Sequence, residues 1–162
     1  NAIINGYEFN HYQEILDEMI TTISIYGKSI NSITGDNVRI SERLYLPSSK
    51  LRGFQRGKVG PVDSDDYVGG NYVSSVNIAA TLPNVVPNWQ NADFSIFLDA
   101  GNVWGVDYSS TINDTNTLRS AAGVALDWHT PVGPLSFSYT GVISKASTDK
   151  TEAFRFNLGT TF

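Results

Sequence analysis

The sequence predicts an all-β fold, an antiparallel up-and-down transmembrane β-barrel to which the 162 residues contribute about seven strands. Three observations predict this class. Apolar and polar residues alternate in six segments, the polar sides of several segments carry charges, and no run reaches the roughly 18 apolar residues of a transmembrane helix. Charged residues make up only 17% of the chain, against a usual value of about 25%. Alternating strands produce this combination because half of each strand is polar, although soluble β-sandwiches can have a similar composition.

The first two predicted strands cover residues 6–17 and 19–30. In the first, Tyr7, Phe9 and Ile15 share one face, and the side chains opposite them are Glu8, Asn10, Tyr12 and Glu14. A helix over residues 12–21 is an open alternative, because YQEILDEMI also has helical spacing. The second segment is rich in β-branched residues, which favours a strand.

Residues 31–69 interrupt the alternation and contain several glycines and prolines. Loops of this length are uncommon inside a compact domain and are usually functional. The sequence therefore predicts a long functional loop between the second and third strands.

Four further strands are predicted over residues 69–82, 93–104, 118–128 and 135–143. Their apolar sides carry Tyr72, Val76, Ile78, Ala80 and Leu82; Phe94, Ile96, Leu98 and Ala100; Leu118, Ala122, Val124, Leu126 and Trp128; and Leu135, Phe137, Tyr139 and Ile143. Because the connections join consecutive strands, the predicted topology is a meander.

The connections between these strands differ in character. Residues 83–90 and 130–134 contain proline and glycine and are typical of turns, whereas residues 106–117 and 145–151 are polar. Tryptophans fall near the strand ends, as interfacial tryptophans do in membrane proteins: Trp89, Trp104 and Trp128.

The terminal segment, residues 152–162, predicts the last strand. One face carries Phe154, Phe156, Leu158 and Phe162, and the other carries Arg155, Asn157, Gly159 and Thr161. A strand that ends on an aromatic carboxyl terminus suits a membrane interface, where aromatic girdles lie. An edge strand of a soluble sandwich is the alternative for this segment alone.

Charges lie opposite the apolar stripes, at Asp99, Arg119, Asp127 and Arg155. In a closed soluble barrel these positions would be core, where charges are costly. In a membrane barrel they face an aqueous lumen and cost little. The pattern therefore predicts an apolar outside and a polar inside.

Several classes of function lack support in the sequence. The net charge is −5 with no basic cluster, which predicts no nucleic-acid partner. There is no cysteine, and His11 and His129 have no second ligand at metal spacing, so we expect no metal and no cofactor. The acidic stretch at residues 63–66 lacks the pattern of a calcium loop. No catalytic set is recognisable, which predicts a protein that is not an enzyme.

Four segments carry a resemblance to a known family. They are LRGFQRGKVGP at residues 51–61, FLDAGNVW at 97–104, AGVALDWHTPVGPLSFSY at 122–139 and FRFNLGTTF at 154–162. In this order they resemble the BamA/TamA superfamily of outer-membrane proteins, and its assembly factors more than its two-partner-secretion members. The resemblance runs from about residue 6 to the terminus. It implies a barrel of about sixteen strands preceded by POTRA domains, of which residues 1–162, a fragment or processed piece beginning at Asn1, would supply the last seven strands.

The resemblance also implies roles for individual residues. In that superfamily the long loop, here residues 31–69, folds into the lumen and its RGF tip contacts the barrel wall. Arg52 offers a planar fork of donors, and Asp99 is the natural acceptor. Gly53 would allow a tight turn and Phe54 would anchor the tip by packing. Relatives often place a second acidic residue where Ala79 stands, so the contact would rest on Asp99 alone or recruit another partner.

A second implied role belongs to the terminal strand, which serves in the superfamily as the signal read during barrel assembly. The residues concerned would be Phe154, Phe156, Leu158, Gly159 and Phe162. The mechanism would be edge pairing, in which an exposed strand templates hydrogen bonds to another chain.

The function implied is insertion of β-barrel proteins into the bacterial outer membrane. The partners would be unfolded outer-membrane proteins, assembly-complex lipoproteins and the lipid bilayer. The alternatives are the pore of a related two-partner-secretion or translocation system and, from another class, an outer-membrane enzyme or a passive porin. In isolation we expect the chain to aggregate or to self-associate through its strand edges.

Overall fold

A computed structural model, which describes residues 1–112 and 116–159, places seven strands in one antiparallel sheet. The strands of the described chain are β1 Ala2–Leu16, β2 Met19–Ser32, β3 Val62–Asp63, β4 Asp66–Tyr67, β5 Tyr72–Leu82, β6 Ala92–Trp104, β7 Arg119–Thr130, β8 Gly133–Ser144 and β9 Phe154–Leu158. The order in the seven-stranded sheet is β1-β2-β5-β6-β7-β8-β9, so each strand of this sheet lies beside the one that follows it along the chain. The short strands β3 and β4 lie between β2 and β5 in sequence and pair with each other. The predicted up-and-down topology is confirmed. Within the described residues the sheet is open, with β1 and β9 at its edges.

The first hairpin decides between strand and helix for residues 12–21. Residues 12–16 continue β1, and Tyr12 pairs with Thr22 of β2. The chain reverses at residues 17–18, where Glu18 has φ +63° and its N–H donates to the Glu14 carboxylate at 3.0 Å. The helical alternative was wrong because β-branched residues of β2 pair across the hairpin, and this tertiary pairing outweighs a short stretch of helical spacing. Across residues 1–112 and 116–159, no helix is long and apolar enough to cross a membrane.

The sheet has two chemically different faces. The outer face bears the exposed apolar side chains of β5 to β9, which are Tyr72, Val76, Ile78, Ile96, Leu98, Val124, Tyr139, Ile143, Phe154, Phe156 and Leu158. The inner face bears buried polar side chains, including Ser75, Asn77, Asp99, Arg119, Ser138 and Thr140. The register aligns them, since Asp99 lies opposite Asn77 on one side and Ala121 on the other.

Residues 33–71, here called the inserted segment, pack against the inner face. The segment contains one 3-10 turn at Ile40–Glu42 and the two-residue strands β3 and β4. Its apolar residues form one cluster with residues of the strands: Leu46, Leu51, Phe54 and Val59 pack with Tyr26, Val73, Val103 and Ala121. The inner face is therefore covered by a folded layer.

Aromatic clusters mark two levels of the outer face. Tyr72 and Trp104 stack with ring centroids 5.7 Å apart. Trp89 packs edge-on against Phe94 at 5.9 Å and Trp128 at 5.4 Å, beside the short turns. Phe94 and Trp104 are ten residues apart on β6, or about 33 Å along the strand. With the usual barrel tilt, their separation matches an apolar band about 25 Å tall.

Candidate functional site

The tip of the inserted segment, residues 52–54, makes a tight turn over the inner face. Gly53 stands at its centre with φ +88°, a conformation that L side chains rarely adopt. Leu51 and Phe54 flank the turn and are almost completely buried, in contact with the cluster that contains Ala121. Apolar residues on both sides of Arg52 therefore fix the direction in which its side chain leaves the turn.

Arg52 and Asp99 form a bidentate ion pair at the tip. The Arg52 Nε and Nη2 atoms donate to the two carboxylate oxygens of Asp99, each at 2.7 Å, and the Arg52 backbone N–H donates to Oδ2 at 3.0 Å. Asp99 is 0% exposed. The Arg52 guanidinium also lies 3.5 Å from the centroid of the Phe97 ring. Two charge-assisted bonds and an aromatic face hold the guanidinium, a geometry that lysine cannot reproduce.

Gly53 sits where the tip approaches the sheet most closely. A Cβ atom there would lie 2.6 Å from Cγ2 of Thr140 and 3.4 Å from Cβ of Ala121. Glycine is therefore required here both by the positive φ and by the close contact with β7 and β8.

Ala79 lies on the inner face opposite Phe97. Among the described residues, Asp99 supplies the only carboxylate that accepts hydrogen bonds from Arg52. Asn77, two residues before Ala79, donates to the carbonyl of Lys50 at 2.8 Å. Near the tip, the Phe97 ring and the Asn77 amide are thus the neighbours of Ala79, the position at which relatives often carry a second acidic residue.

The chain that leads into β9 contacts the tip directly. The Glu152 N–H donates to the Gly53 carbonyl at 2.9 Å, and Phe54 forms a β-bridge with Thr151. Arg155 then donates to the Phe54 carbonyl at 2.8 Å. The tip is therefore held on one side by β6 and on the other by the start of β9.

Three of the predicted signal residues of the terminal strand lie on its outer side. Phe154, Phe156 and Leu158 are exposed, and Phe156 packs against the Phe137 ring of β8 at 5.0 Å. Gly159 follows with φ +117°, and its N–H donates to the Pro134 carbonyl at 2.9 Å. Phe162 lies outside the described residues. The side chains of Phe154, Phe156 and Leu158 lie on the face of the sheet opposite to the tip.

A second buried ion pair joins β7 to the connection between β8 and β9. Arg119 Nε donates to Asp149 Oδ2 at 2.8 Å, and Nη2 donates to Oδ1 at 3.1 Å. Arg119 Nη1 also donates to Asn102 at 2.6 Å. Asp149 in turn accepts from the Ala146 N–H at 2.7 Å and from the Gly60 N–H of the inserted segment at 3.4 Å.

A third pair fixes the start of the inserted segment. Arg43 is buried, donates to Asn71 at 2.9 Å and forms an ion pair with Asp107, which follows β6. The Val38 N–H donates to Asp107 at 3.0 Å. Burial disfavours the charge on Asp107, but the hydrogen bonds from Val38, Asn71 and Arg43 outweigh it, so the pKa of Asp107 lies below its ordinary value.

This set of contacts positions the inserted segment against the inner face of the sheet. Within the part of the chain that the structure describes, no group of three metal-ligating side chains is present. His129 and Asp93 are both well exposed and 3.9 Å apart at the turn end, and Asp127 accepts a hydrogen bond from Ser136 on the inner face. The arrangement suits a mechanical role, in which buried charges register the segment against the wall.

Sequence reasoning missed three participants in this site. Phe97 lies two residues before Asp99 on β6, and side chains two residues apart on a strand share a face. The alternation of the strand could therefore have identified Phe97. Arg155 was recognised as an inward charge, but nothing in the sequence paired it with the tip. Asp149 lies in a polar connection without periodicity, and no local signal distinguishes it from a solvated aspartate.

Comparison with known proteins places the whole fold in one family. The Omp85 superfamily domain matches residues 6–162. The chain is 34% identical to the outer membrane protein assembly factor BamA of Neisseria meningitidis serogroup B, in an alignment covering 69% of this chain and 17% of that protein. It is 25% identical to the BamA of Neorickettsia risticii, covering 88% and 20%. The chain thus spans about a fifth of the length of these curated relatives.

A solved structure agrees with this assignment. The crystal structure of BamA from Haemophilus ducreyi lacking POTRA domains 1–3 superposes with a TM-score of 0.83 at 28% identity. The match covers 96% of this chain and 34% of that one. The open seven-stranded sheet and the segment on its inner face therefore correspond to part of a larger barrel.

Proposed function

The chain belongs to the Omp85 superfamily, and from this premise we propose that it acts as part of an outer-membrane insertase that folds and inserts β-barrel proteins. Its sheet is part of an outer-membrane β-barrel, with the apolar face toward lipid and the polar face toward the lumen. The curated relatives that it resembles are outer membrane protein assembly factors. The observation that carries the proposal is the Arg52–Asp99 pair, which fixes the tip of the inserted segment on the lumenal face.

The inserted segment would act by holding the wall in one shape. Its ion pairs reach β6 through Asp99 and the β6–β7 connection through Asp107. Its backbone also contacts Asp149, the partner of Arg119 on β7. A wall held at several points can offer a strand edge to a client without collapsing. The client would be an unfolded outer-membrane protein that adds a strand by main-chain hydrogen bonding.

The edges of the described sheet are β1, with fifteen residues, and β9, with five residues in its ladder. Phe154, Phe156 and Leu158 would be read by the assembly machinery, which would include lipoprotein partners, when this barrel is itself assembled. By the same edges, the isolated chain should self-associate, which size-exclusion chromatography in detergent would detect.

In the alternative, a secretion pore of the same superfamily, the inserted segment would lie in the path of the secreted chain. The inserted segment buries Leu51, Phe54 and Val59 against the inner face and joins the wall through buried charges. A secreted chain would need to displace this layer, at the cost of separating buried ion pairs.

The proposal is tested by reconstitution. The full-length protein in liposomes should accelerate the folding of a small outer-membrane barrel above the rate in empty liposomes. Arg52→Ala should reduce that acceleration, whereas Arg56→Ala should not, because Arg56 lies in the same segment and is exposed. Equal folding rates with and without the wild-type protein would overturn the proposal.

A further inference from the structure

The terminal strand is attached to the sheet along only part of its neighbour. β9 pairs with residues 135–139 of β8, whereas β8 continues to Ser144. Beyond Tyr139 one more contact is formed, from the Thr140 N–H to the Ala153 carbonyl at 2.7 Å. The ladder with β8 therefore does not hold the chain that leads into β9.

The inserted segment supplies the missing backbone partners. The Gln55 N–H donates to the Lys150 carbonyl at 2.9 Å, and the Lys150 N–H donates to the Lys58 carbonyl at 3.1 Å. Together with the bond from Glu152 to Gly53, they form a short extra pairing between residues 53–58 and 150–152. Residues just before β9 are thus paired to the inserted segment and not to a strand of the wall.

Arg155 adds a charged contact at the point where β9 begins. Its Nη2 donates to the Phe54 carbonyl at 2.8 Å and its Nη1 donates to the Ser48 carbonyl at 3.2 Å. The side chain is 13% exposed and also contacts Glu152 at 3.2 Å. A guanidinium that bridges two carbonyls of the segment makes charge-assisted bonds, which are stronger than neutral ones.

From these contacts we propose that Arg155 is a positioning residue through which the inserted segment holds the start of the terminal strand. The contacts lie in series: Asp99 on β6 holds Arg52, the tip holds Phe54 and Ser48 in place, and these carbonyls hold Arg155. Loss of the ion pair on β6 should therefore loosen β9, three strands away in the sheet. This inference rests on the proposed role of the segment in supporting the barrel wall.

The test is hydrogen exchange of backbone amides in the full-length protein in detergent micelles. Arg155→Gln should accelerate exchange of residues 152–158 by about ten- to a hundredfold, since hydrogen bonds of a charged group are lost. Exchange of residues 92–104 should stay unchanged. Asn157→Ala is the matched control, because Asn157 is the next inward-facing residue of β9, pairs with Ser136 of β8 and makes no side-chain hydrogen bond to the segment in the described structure. Arg155→Lys retains the charge without the fork and should give a smaller acceleration.

Coupling along the series is tested by Asp99→Asn and by its combination with Arg155→Gln. Asp99→Asn should accelerate exchange at residues 152–158, and the double variant should accelerate it less than the two single effects multiplied. Unchanged exchange at residues 152–158 in both single variants would overturn the inference. Uniform acceleration across all strands would overturn it as well, because it would indicate general destabilisation. If Arg155→Gln does not fold, Arg155→Lys is judged by the same criteria.

The liposome assay on the same variants separates the two proposals. Faster exchange with undiminished client folding would leave Arg155 as the anchor of β9 and refute the role of the segment in assembly. Unchanged exchange, with Arg52→Ala still slowing client folding, would refute the anchor and leave the proposed function standing.

Discussion

Replacing Arg52 by alanine tests the main contact of the tip most directly. The change removes the two guanidinium hydrogen bonds from a carboxylate that is 0% exposed and leaves Asp99 charged and without its cation. The bond from the backbone N–H of residue 52 does not depend on the side chain. Breaking a buried pair from one side costs about 3–5 kcal/mol. The Arg52 side chain is partly accessible, at 15%, so water can enter where the guanidinium was. We therefore expect a loss near the lower end, about 3 kcal/mol of unfolding free energy.

The assay is equilibrium unfolding in urea, with heat-modifiable gel mobility as a second reading of the folded barrel. Arg56→Ala is the control, because it removes an exposed arginine from the same segment and should change stability by no more than about 0.5 kcal/mol. Asp99→Ala in the Arg52→Ala background removes the unpaired charge. The double variant should therefore be less destabilised than the sum of the single variants, by about 2 kcal/mol.

Two results would refute this reasoning. The first is an Arg52→Ala midpoint equal to that of Arg56→Ala, which would mean that the pair contributes nothing measurable. The second is strict additivity of Arg52→Ala and Asp99→Ala, which would mean that the two side chains act independently despite their bidentate geometry.

Three further predictions follow from other contacts. Gly53→Ala should destabilise the barrel by about 1–3 kcal/mol. The effect should exceed that of Gly57→Ala, because both glycines have positive φ but only the Gly53 site is crowded by the sheet. Equal losses of unfolding free energy in urea would contradict the close contact. The folded-state pKa of Asp107 is lowered, so its contribution to stability is present above the ordinary carboxyl pKa of 3.8 and is lost as the pH falls below that value. Asp107→Asn should therefore reduce the loss of unfolding free energy at acid pH. An unchanged dependence of stability on acid pH would exclude this role. Leu98→Lys on the outer face should cost about 2–4 kcal/mol in a bilayer, and Val85→Lys, in a turn, about 0–1 kcal/mol; equal costs in folding titrations into lipid vesicles would count against the membrane orientation.

Strand positions were predictable because the alternation is a local signal. Every strand of the sheet except β2 shows a period of two over at least five residues. The structure then aligns these strands so that Asp99, Asn77 and Ala121 lie on one face. The orientation of Arg52 toward Asp99 was predicted from the resemblance and from the chemistry of the guanidinium, and the structure places the two side chains in contact.

The interior of the inserted segment was not predictable in the same way. β3 and β4 have two residues each, too few for a periodic pattern. The partners of Arg43 and Arg119 are aspartates in connections, separated from them by 64 and 30 residues. Such pairs depend on the position of the connections in the folded chain, and that position cannot be read from residue type or sequence spacing.

The extra pairing of residues 53–58 with residues 150–152 also has a consequence for the order of folding. The inserted segment is synthesised before β9, and the Arg155 contact to Phe54 spans 101 residues. Closing so long a loop is slow and is stabilised only after its ends meet. The segment therefore cannot complete its packing until residues 150–155 are synthesised and in place. A truncated chain ending before residue 145 would carry Arg119 without Asp149 and a tip with one side open, so an unfinished polypeptide would remain loose and open to proteolysis.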